Sequence, residues 1–199
     1  MKNNQFGRSM VEMLGVLAII GVLSVGGILG YANAMNKHKL NKVINDISSI
    51  VQNYRIQCAG HSVVCEDMNG ISYNEDIINI LKSIDVIPDH MWNKDAKSTT
   101  EMLKNPFGGN VEIILNPSYF RISYFNIPQN ICSGLLTANW EDIDALNIRI
   151  IESGVAFYSK KYAKEISDIP NGNSNWLPIS LDKAQAQSCN QGVSWQFKI

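Results

Sequence analysis

The sequence lacks the short motifs that mark the common classes of active site. It has no H-E-x-x-H zinc-binding pattern, no G-x-S-x-G nucleophile turn, no glycine-rich phosphate loop and no C-x-x-C pair. These absences argue against a metalloprotease, a serine hydrolase, a nucleotide-binding enzyme and a thiol oxidoreductase. We therefore expect a protein that is not an enzyme and that requires no cofactor and no metal.

Net charge is also nearly absent. The chain has 17 Lys and Arg residues and 18 Asp and Glu residues, which gives a formal net charge of −1. A protein that binds nucleic acid through its phosphates usually carries a strongly basic surface. The balanced charge, without any run of like charges, therefore predicts no nucleic-acid partner.

Charged residues are missing altogether from residues 13–36, and proline is missing from residues 8–57. About 20 apolar residues in a helix cross a bilayer, so residues 13–36 are long enough to span one. Within this segment Gly26 and Gly30 have the spacing of a small-residue face on which membrane helices pack. Membrane helices are rich in glycine in general, so a packing face is one of two interpretations of this pair.

The helical pattern continues beyond the apolar segment. We predict one helix over residues 8–57, about 75 Å long at about 1.5 Å per residue. Its apolar half, residues 13–36, is expected to lie in a membrane or in the core of a filament. Its second half has an apolar stripe along one side, and this stripe is expected to pack on a domain formed by residues 58–199. The stripe consists of apolar residues at intervals of three and four: Leu40, Val43, Ile44, Ile47, Ile50, Val51 and Tyr54.

An acidic residue stands at the start of the apolar segment. Glu12 follows Gly7 by five positions, and Arg8 lies one helical turn before it. No glycine inside the apolar segment has an acidic residue five positions later, so this register is unique. A carboxylate at the edge of the hydrocarbon costs a few kcal/mol unless it is paired. Arg8, water at the membrane surface and a neighbouring molecule are the candidate partners of Glu12.

This N-terminus resembles that of a type IV prepilin. In that family a prepilin peptidase cuts after the glycine and usually methylates the new N-terminus. The resemblance implies a leader of residues 1–7 and cleavage between Gly7 and Arg8. It also implies that Glu12 docks subunits by neutralising the N-terminal amine of a neighbouring copy. A seven-residue leader is short for a type IVb pilin, and Arg8 stands where Phe or Met is more common.

Two other interpretations of the N-terminus remain open. In the first, Lys2 and Arg8 are the basic region of an ordinary secretory signal, and cleavage after Ala32-Asn-Ala34 releases a protein that begins at Met35. In the second, the helix is an uncleaved membrane anchor whose basic N-terminal residues stay inside the cell. The length of the apolar stretch and the acid at its front argue against a secretory signal.

The remaining sequence predicts a small α+β domain after the long helix. A helix over residues 74–85 precedes an irregular connector over 89–104, and a hairpin of strands 111–115 and 119–127 follows. A helix or turn over 128–136 carries Cys132, and residues 171–175 form a loop. His38 and His90 stand alone in the sequence. Asp142 and Asp144 are expected to lie in a solvated turn rather than at a cation site. Trp195 is expected to lie in the core. The other predicted elements are strands 148–151 and 155–158, a short helix over 181–188 and a final strand over 193–199.

The second part of the chain resembles a type IVb pilin. The turn Asn105-Pro-Phe-Gly-Gly109 is similar to a segment of that class, as is a cysteine helix followed by a second cysteine just before the last strand. Four cysteines after an export-like segment predict disulfides, and three connectivities are possible. Loop length and the resemblance together favour Cys58 with Cys65 and Cys132 with Cys189.

The resemblance implies a pilin-like fold and a structural function. The expected protein is a subunit of a helical surface filament that serves adhesion, aggregation or motility. Its expected partners are other copies of itself, a prepilin peptidase, an assembly platform and ATPase, and the inner membrane, with the domain in the periplasm before assembly and on the cell surface afterwards. The alternatives are a minor pilin, a type II secretion pseudopilin and a membrane-anchored periplasmic binding module that does not polymerise.

Overall fold

The computed structural model describes residues 6–60, 75–116, 119–164, 166, 169 and 175–198. Its helices are α1 (Phe6–Gly60), α2 (Glu75–Ser83), α3 (Gln129–Thr137) and α4 (Leu181–Gln185). Three short 3₁₀ helices cover Asp89–Met91, Thr99–Glu101 and Trp140–Ile143. The strands are β1 (Val111–Asn116), β2 (Tyr119–Phe125), β3 (Ala145–Ile150), β4 (Ala156–Tyr158) and β5 (Gly192–Lys198).

Helix α1 is a single element of 55 residues, which confirms the continuous helix predicted over residues 8–57. The described helix covers Phe6–Gly60. Contacts divide the chain into two compact units between His38 and Lys39, a point inside α1. The first unit therefore holds the apolar part of the helix, and the second holds its striped part together with the strands.

The five strands form one antiparallel sheet in the order β1-β2-β5-β3-β4. The predicted hairpin is confirmed, with Val111 opposite Tyr124 and Leu115 opposite Phe120. Strand β5 lies between β2 and β3, where Trp195 is paired with Ile122 on one side and Ile148 on the other. The last strand of the sequence is therefore the central strand of the sheet.

The striped part of α1 packs on this sheet within the second unit. Val43, Ile47 and Ile50 are completely buried, as the spacing of the stripe predicts. Near the end of the helix the ring of Tyr54 stacks on Phe120 of β2, with 4.7 Å between ring centroids. These contacts give the α+β architecture that was predicted, a long N-terminal helix packed on a small antiparallel sheet, and it is consistent with a pilin-like fold.

Large aromatic side chains fill the centre of the sheet. Trp195 is fully buried, which confirms its predicted place in the core. It makes an edge-to-face contact with Tyr124 at 5.7 Å and lies 5.1 Å from Trp140. Burial raises the pKa of the Tyr124 hydroxyl well above its ordinary value, and the negative charge of Asp46 adds to this effect.

The segment between α2 and β1 is more ordered than predicted. Residues 89–104 were expected to be an irregular connector, but they contain two 3₁₀ helices and a bridge between Trp92 and Leu103. Met91 and Leu103 are fully buried in the core. The segment has no α-helix or strand, as predicted, but single apolar residues without periodicity fix it where they enter the core.

Several predictions fall outside the described residues. They are the leader up to position 5, the pairing of Cys58 with Cys65, and most of the loop predicted over 171–175.

Candidate functional surface

The apolar part of α1 is the largest feature that the fold itself does not explain. Every large hydrophobic side chain from Met10 to Tyr31 is exposed, by 53–74%. Water-soluble monomers rarely expose a contiguous apolar patch of more than a few hundred Å². The helix is also long and apolar enough to cross a membrane. This surface, which we call the apolar rod, therefore has to be covered by lipid or by other protein.

Glu12 lies within the exposed start of the apolar rod. It is the only acidic residue of α1 before Asp46, so its carboxylate is the one formal negative charge of this part of the helix. Gly7 and Arg8 lie within the described helix α1. The proposed cleavage of the bond between them stays a prediction.

Gly26 and Gly30 lie one turn apart on the apolar rod, on the same side of the helix. No atom from elsewhere in the described residues lies within 4 Å of the point where a Cβ would stand on either glycine. Neither glycine is therefore required by packing within this chain, and both leave the backbone open to a close neighbour. Their proposed role in helix packing stays a prediction.

A disulfide links Cys132 of α3 to Cys189, three residues before β5. It confirms that half of the predicted connectivity, and both cysteines are completely buried. The same junction carries a polar contact, because the side-chain amide of Gln129 donates to the carbonyl oxygen of Gln187 at 2.8 Å. Helix α3 and the entry to the central strand are therefore held by a covalent bond and a hydrogen bond.

The geometry of the turn before β1 explains why it contains Asn105 and Gly109. The side-chain oxygen of buried Asn105 accepts hydrogen bonds from the N–H groups of Phe107 at 2.9 Å and Gly109 at 3.1 Å. Its amide nitrogen donates to the carbonyl oxygen of Phe125 at 2.8 Å. A Cβ on Gly109 would collide with that same carbonyl oxygen. Asn105 and Gly109 therefore join this turn to the end of β2.

A polar junction that the sequence did not reveal fixes the end of α1 to the sheet. The guanidinium of Arg55 donates to the carbonyl oxygens of Lys198 at 2.7 Å and Ile143 at 3.3 Å. It also lies 3.4 Å from the Asp144 carboxylate. Asp144 has a φ of 58°, a left-handed conformation that Asp and Asn tolerate better than most residues. We call this group the Arg55–Asp144 junction.

Two further side chains complete the environment of Asp144. The ammonium of Lys161 lies 2.6 Å from its carboxylate, and the hydroxyl of Tyr162 donates to the same oxygen. The hydrogen bonds from Lys161 and then Tyr162 lower the pKa of Asp144, and the bond to Asp144 raises the pKa of Lys161. Asp144 lies in a partly exposed turn, as expected, and its carboxylate is also the anion of a charged cluster that was not predicted.

Another pair was also missed because its members are distant in sequence. His90 Nε2 lies 3.0 Å from the carboxylate of Asp46, which is 7% exposed on α1. His90 therefore does not stand alone as predicted. No signal in the local sequence marks this pair, since Asp46 is one of several polar residues in the striped part of α1.

In the described ranges, no group of three or more His, Cys, Asp or Glu side chains could hold a metal ion. Comparison of the chain with family models and with curated proteins finds no match. The functional argument therefore depends on the apolar rod, its charged entrance and the domain that carries it.

Proposed function

We propose that the chain is a structural subunit of a type IV pilus, most similar to a type IVb pilin. The observation that carries this proposal is the Gly7–Glu12 register at the start of the apolar rod. A prepilin peptidase would remove residues 1–7, and the mature protein would begin at Arg8. The apolar rod would then leave the bilayer and pack among the rods of other copies in a helical filament.

The exposure of the rod supports this proposal energetically. Burying apolar surface contributes about 25 cal/mol per Å², and the rod has side chains of this kind on all of its faces. A single-span anchor in lipid covers such a surface, and so does a bundle of identical rods. The open backbone at Gly26 and Gly30 suits the second case, because small residues allow two helices to approach closely.

Glu12 adds specificity to the packing. A carboxylate transferred into a filament core without a cation costs several kcal/mol, and the N-terminal amine of an adjacent copy would compensate that cost. Only the correct axial position would bring the two groups together. Glu12 would therefore select the register of subunits, while the apolar residues supply most of the binding energy.

The proposal includes the cellular partners of a pilin. Before assembly the rod would lie in the inner membrane, with the domain in the periplasm. An assembly platform and its ATPase would then extract the subunit, and the filament would carry the domain on the cell surface. A minor pilin and a type II secretion pseudopilin share this chemistry, and they differ in how many copies enter the filament.

The mass of the mature protein tests the proposal directly. An N-terminus at Arg8, with or without one added methyl group, is the expected result of intact-mass analysis. An N-terminus at Met35 would instead indicate ordinary secretion. A retained leader, with Met1 or its neighbour at the N-terminus, would indicate a membrane-anchored domain that does not polymerise. Either of these results would remove the pilin assignment.

Substitution of Glu12 tests its docking role. We expect Glu12→Val and Glu12→Gln to leave the protein stable in the membrane fraction but absent from sheared surface filaments. Asp142→Asn is a matched control, because Asp142 is an exposed acid of the second unit and its loss changes net charge equally. Filaments of normal yield from both Glu12 variants would show that Glu12 does not select the register.

A further inference from the structure

Three lysines follow the apolar rod directly in the sequence. Lys37 is the first charged residue after Glu12, and Lys39 and Lys42 are the next two. The first acidic residue after them is Asp46, so the stretch that follows the rod carries only positive formal charge. The side chain of Lys37 is exposed, and those of Lys39 and Lys42 are partly exposed. We call Lys37, Lys39 and Lys42 the lysine collar.

The elements of the second unit that lie beside the collar carry no charge. The ammonium of Lys39 lies 5.8 Å from the centre of the Phe107 ring, in the turn formed by residues 105–109. The side chain of Leu40 faces α3, because a Cβ on Gly134 would stand 2.8 Å from it. Neither that turn nor α3 contains an acidic or a basic residue. These two elements therefore supply no carboxylate that could neutralise the collar.

The acids on the far side of the collar do not neutralise it either. Asp46 lies one helical turn after Lys42, but it is buried and its carboxylate is 3.0 Å from Nε2 of His90. Asp89, next to His90 in the same 3₁₀ helix, is exposed. Across the described part of the chain, no collar lysine forms an ion pair with a carboxylate. The positive charge of the collar is therefore open to an external anion.

The length of the rod places the collar near lipid headgroups when the rod spans a bilayer. The uncharged residues 13–36 are about 36 Å long as a helix, whereas the hydrocarbon core of a bilayer is about 30 Å thick. From Asn36 to Lys42 the helix rises only about 9 Å more. Attraction to a charged membrane surface extends over about one Debye length, about 8 Å at physiological ionic strength, and lysine side chains reach back towards the interface. All three ammonium groups can therefore approach the lipid phosphates.

We propose that the lysine collar binds the phosphate groups of anionic phospholipids at the bilayer surface from which the domain emerges. The collar ammonium groups pair with these phosphates, and the rod keeps them beside the surface, so that weak attractions at three lysines add to a clear preference for anionic lipid. This inference rests on the membrane-spanning rod of the proposed function, which an anchored domain would share. It requires neither cleavage after Gly7 nor assembly into a filament.

Spin-labelled lipids in vesicles test this proposal. The full-length chain is reconstituted in phosphatidylcholine vesicles that contain a trace of spin-labelled phosphatidylglycerol or of spin-labelled phosphatidylcholine. Electron spin resonance then measures the fraction of each lipid that is immobilised beside the protein. We expect the association constant of the anionic label to exceed that of the zwitterionic label at least about threefold. Raising NaCl from about 0.02 to about 0.5 M should bring the two constants together, because salt screens the attraction.

Substitution of the collar shows whether it is responsible. Lys37→Gln, Lys39→Gln and Lys42→Gln combined should remove most of the preference for the anionic label. Arginine at the same three positions should keep it, since arginine retains the positive charge and also binds phosphate. The immobilised fraction of the zwitterionic label should be equal in all variants, which checks that each one is inserted in the bilayer.

A second triple variant is the matched control. Lys94→Gln, Lys97→Gln and Lys160→Gln combined remove the same charge from three exposed lysines outside the collar, and the preference should stay at the wild-type value. Lys2 and Arg8, on the other side of the rod in the sequence, are unchanged in every variant. A difference between the two triple variants therefore reports the collar.

Several results would overturn the proposal. These are equal association of the two labels with the wild-type chain, an unchanged preference in the glutamine variant of the collar, and an equal loss in the matched control. Displacement of the anionic label by free glycerol phosphate would indicate a site for a soluble phosphate instead. A chain that immobilises neither label would show that the rod does not lie in the bilayer, which also removes the inference. The mass of the mature N-terminus tests the pilin assignment separately from all of these results.

Discussion

Removal of the Cys132–Cys189 disulfide should lower the stability of the second unit by about 4 kcal/mol. The bond spans a sequence separation of 57 residues. On the chain-entropy account, closing a loop of this length in the unfolded chain is worth about 4 kcal/mol at 25 °C. A domain of this size has a total stability of about 5–15 kcal/mol, so the bond supplies a large part of it. We expect the reduced protein to be marginally folded at physiological temperature.

The variant Cys132→Ala with Cys189→Ala makes this effect measurable without a reducing agent. A loss of about 1 kcal/mol lowers the midpoint of a domain of 150–250 residues by about 2–4 °C, so a decrease of about 10 °C is expected. Near-ultraviolet circular dichroism of the full chain in detergent follows the unfolding of the second unit, because the packed aromatic cluster belongs to it. The helical signal of the apolar rod does not contribute to this measurement.

The second cysteine pair provides a matched control. Cys58 and Cys65 enclose a much shorter segment, so Cys58→Ser with Cys65→Ser should cost only about 2–3 kcal/mol if they are bonded. The larger decrease should therefore belong to the Cys132 and Cys189 variant. A midpoint within about 2 °C of the wild-type value for that variant would refute the loop-closure argument.

Three further substitutions test the junctions of the second unit. Asp144→Asn should lower the free energy of unfolding by about 1 kcal/mol at neutral pH. Because the folded pKa of Asp144 lies below its ordinary value of 3.8, this difference from wild type should persist above that pH and disappear as the pH falls through the folded pKa. A constant difference down to about pH 2 in urea titrations would contradict this prediction. Gly109→Ala should lower the unfolding free energy by about 2–3 kcal/mol, since its Cβ meets the carbonyl oxygen of Phe125, and an unchanged urea midpoint would contradict the turn geometry. Arg55→Met should lower the free energy of unfolding by about 2 kcal/mol, because the carbonyl oxygen of Lys198 loses the hydrogen bond from Arg55. Amide hydrogen exchange in β5 should then be faster, and exchange as slow as in wild type would show that α1 does not hold this strand.

Local patterns predicted most of the elements of the fold. The length of α1 could be predicted because residues 8–57 contain no proline. Its buried side could be predicted from the spacing of Val43, Ile47 and Ile50. The β1–β2 hairpin follows from two apolar runs next to each other in the sequence. These features depend on neighbours within a few residues, which is the information that a single sequence holds most clearly.

Long-range pairings could not be predicted in the same way. The position of β5 between β2 and β3, the contact of His90 with Asp46, and the Arg55–Asp144 junction all join residues that lie far apart in the chain. A charged side chain on a helix looks the same in the sequence whether it meets solvent or a distant carbonyl group.

The place of β5 in the sheet has a consequence for the timing of folding. A chain is synthesised from its N-terminus, so strands β1 to β4 are present before residues 192–198 arrive. Until then the β1–β2 hairpin and the β3–β4 hairpin have no strand between them, and the edges of β2 and β3 that β5 later covers are unpaired. The domain must therefore pass through a period outside the ribosome when it is vulnerable to aggregation and proteolysis. This period ends when β5 inserts between β2 and β3.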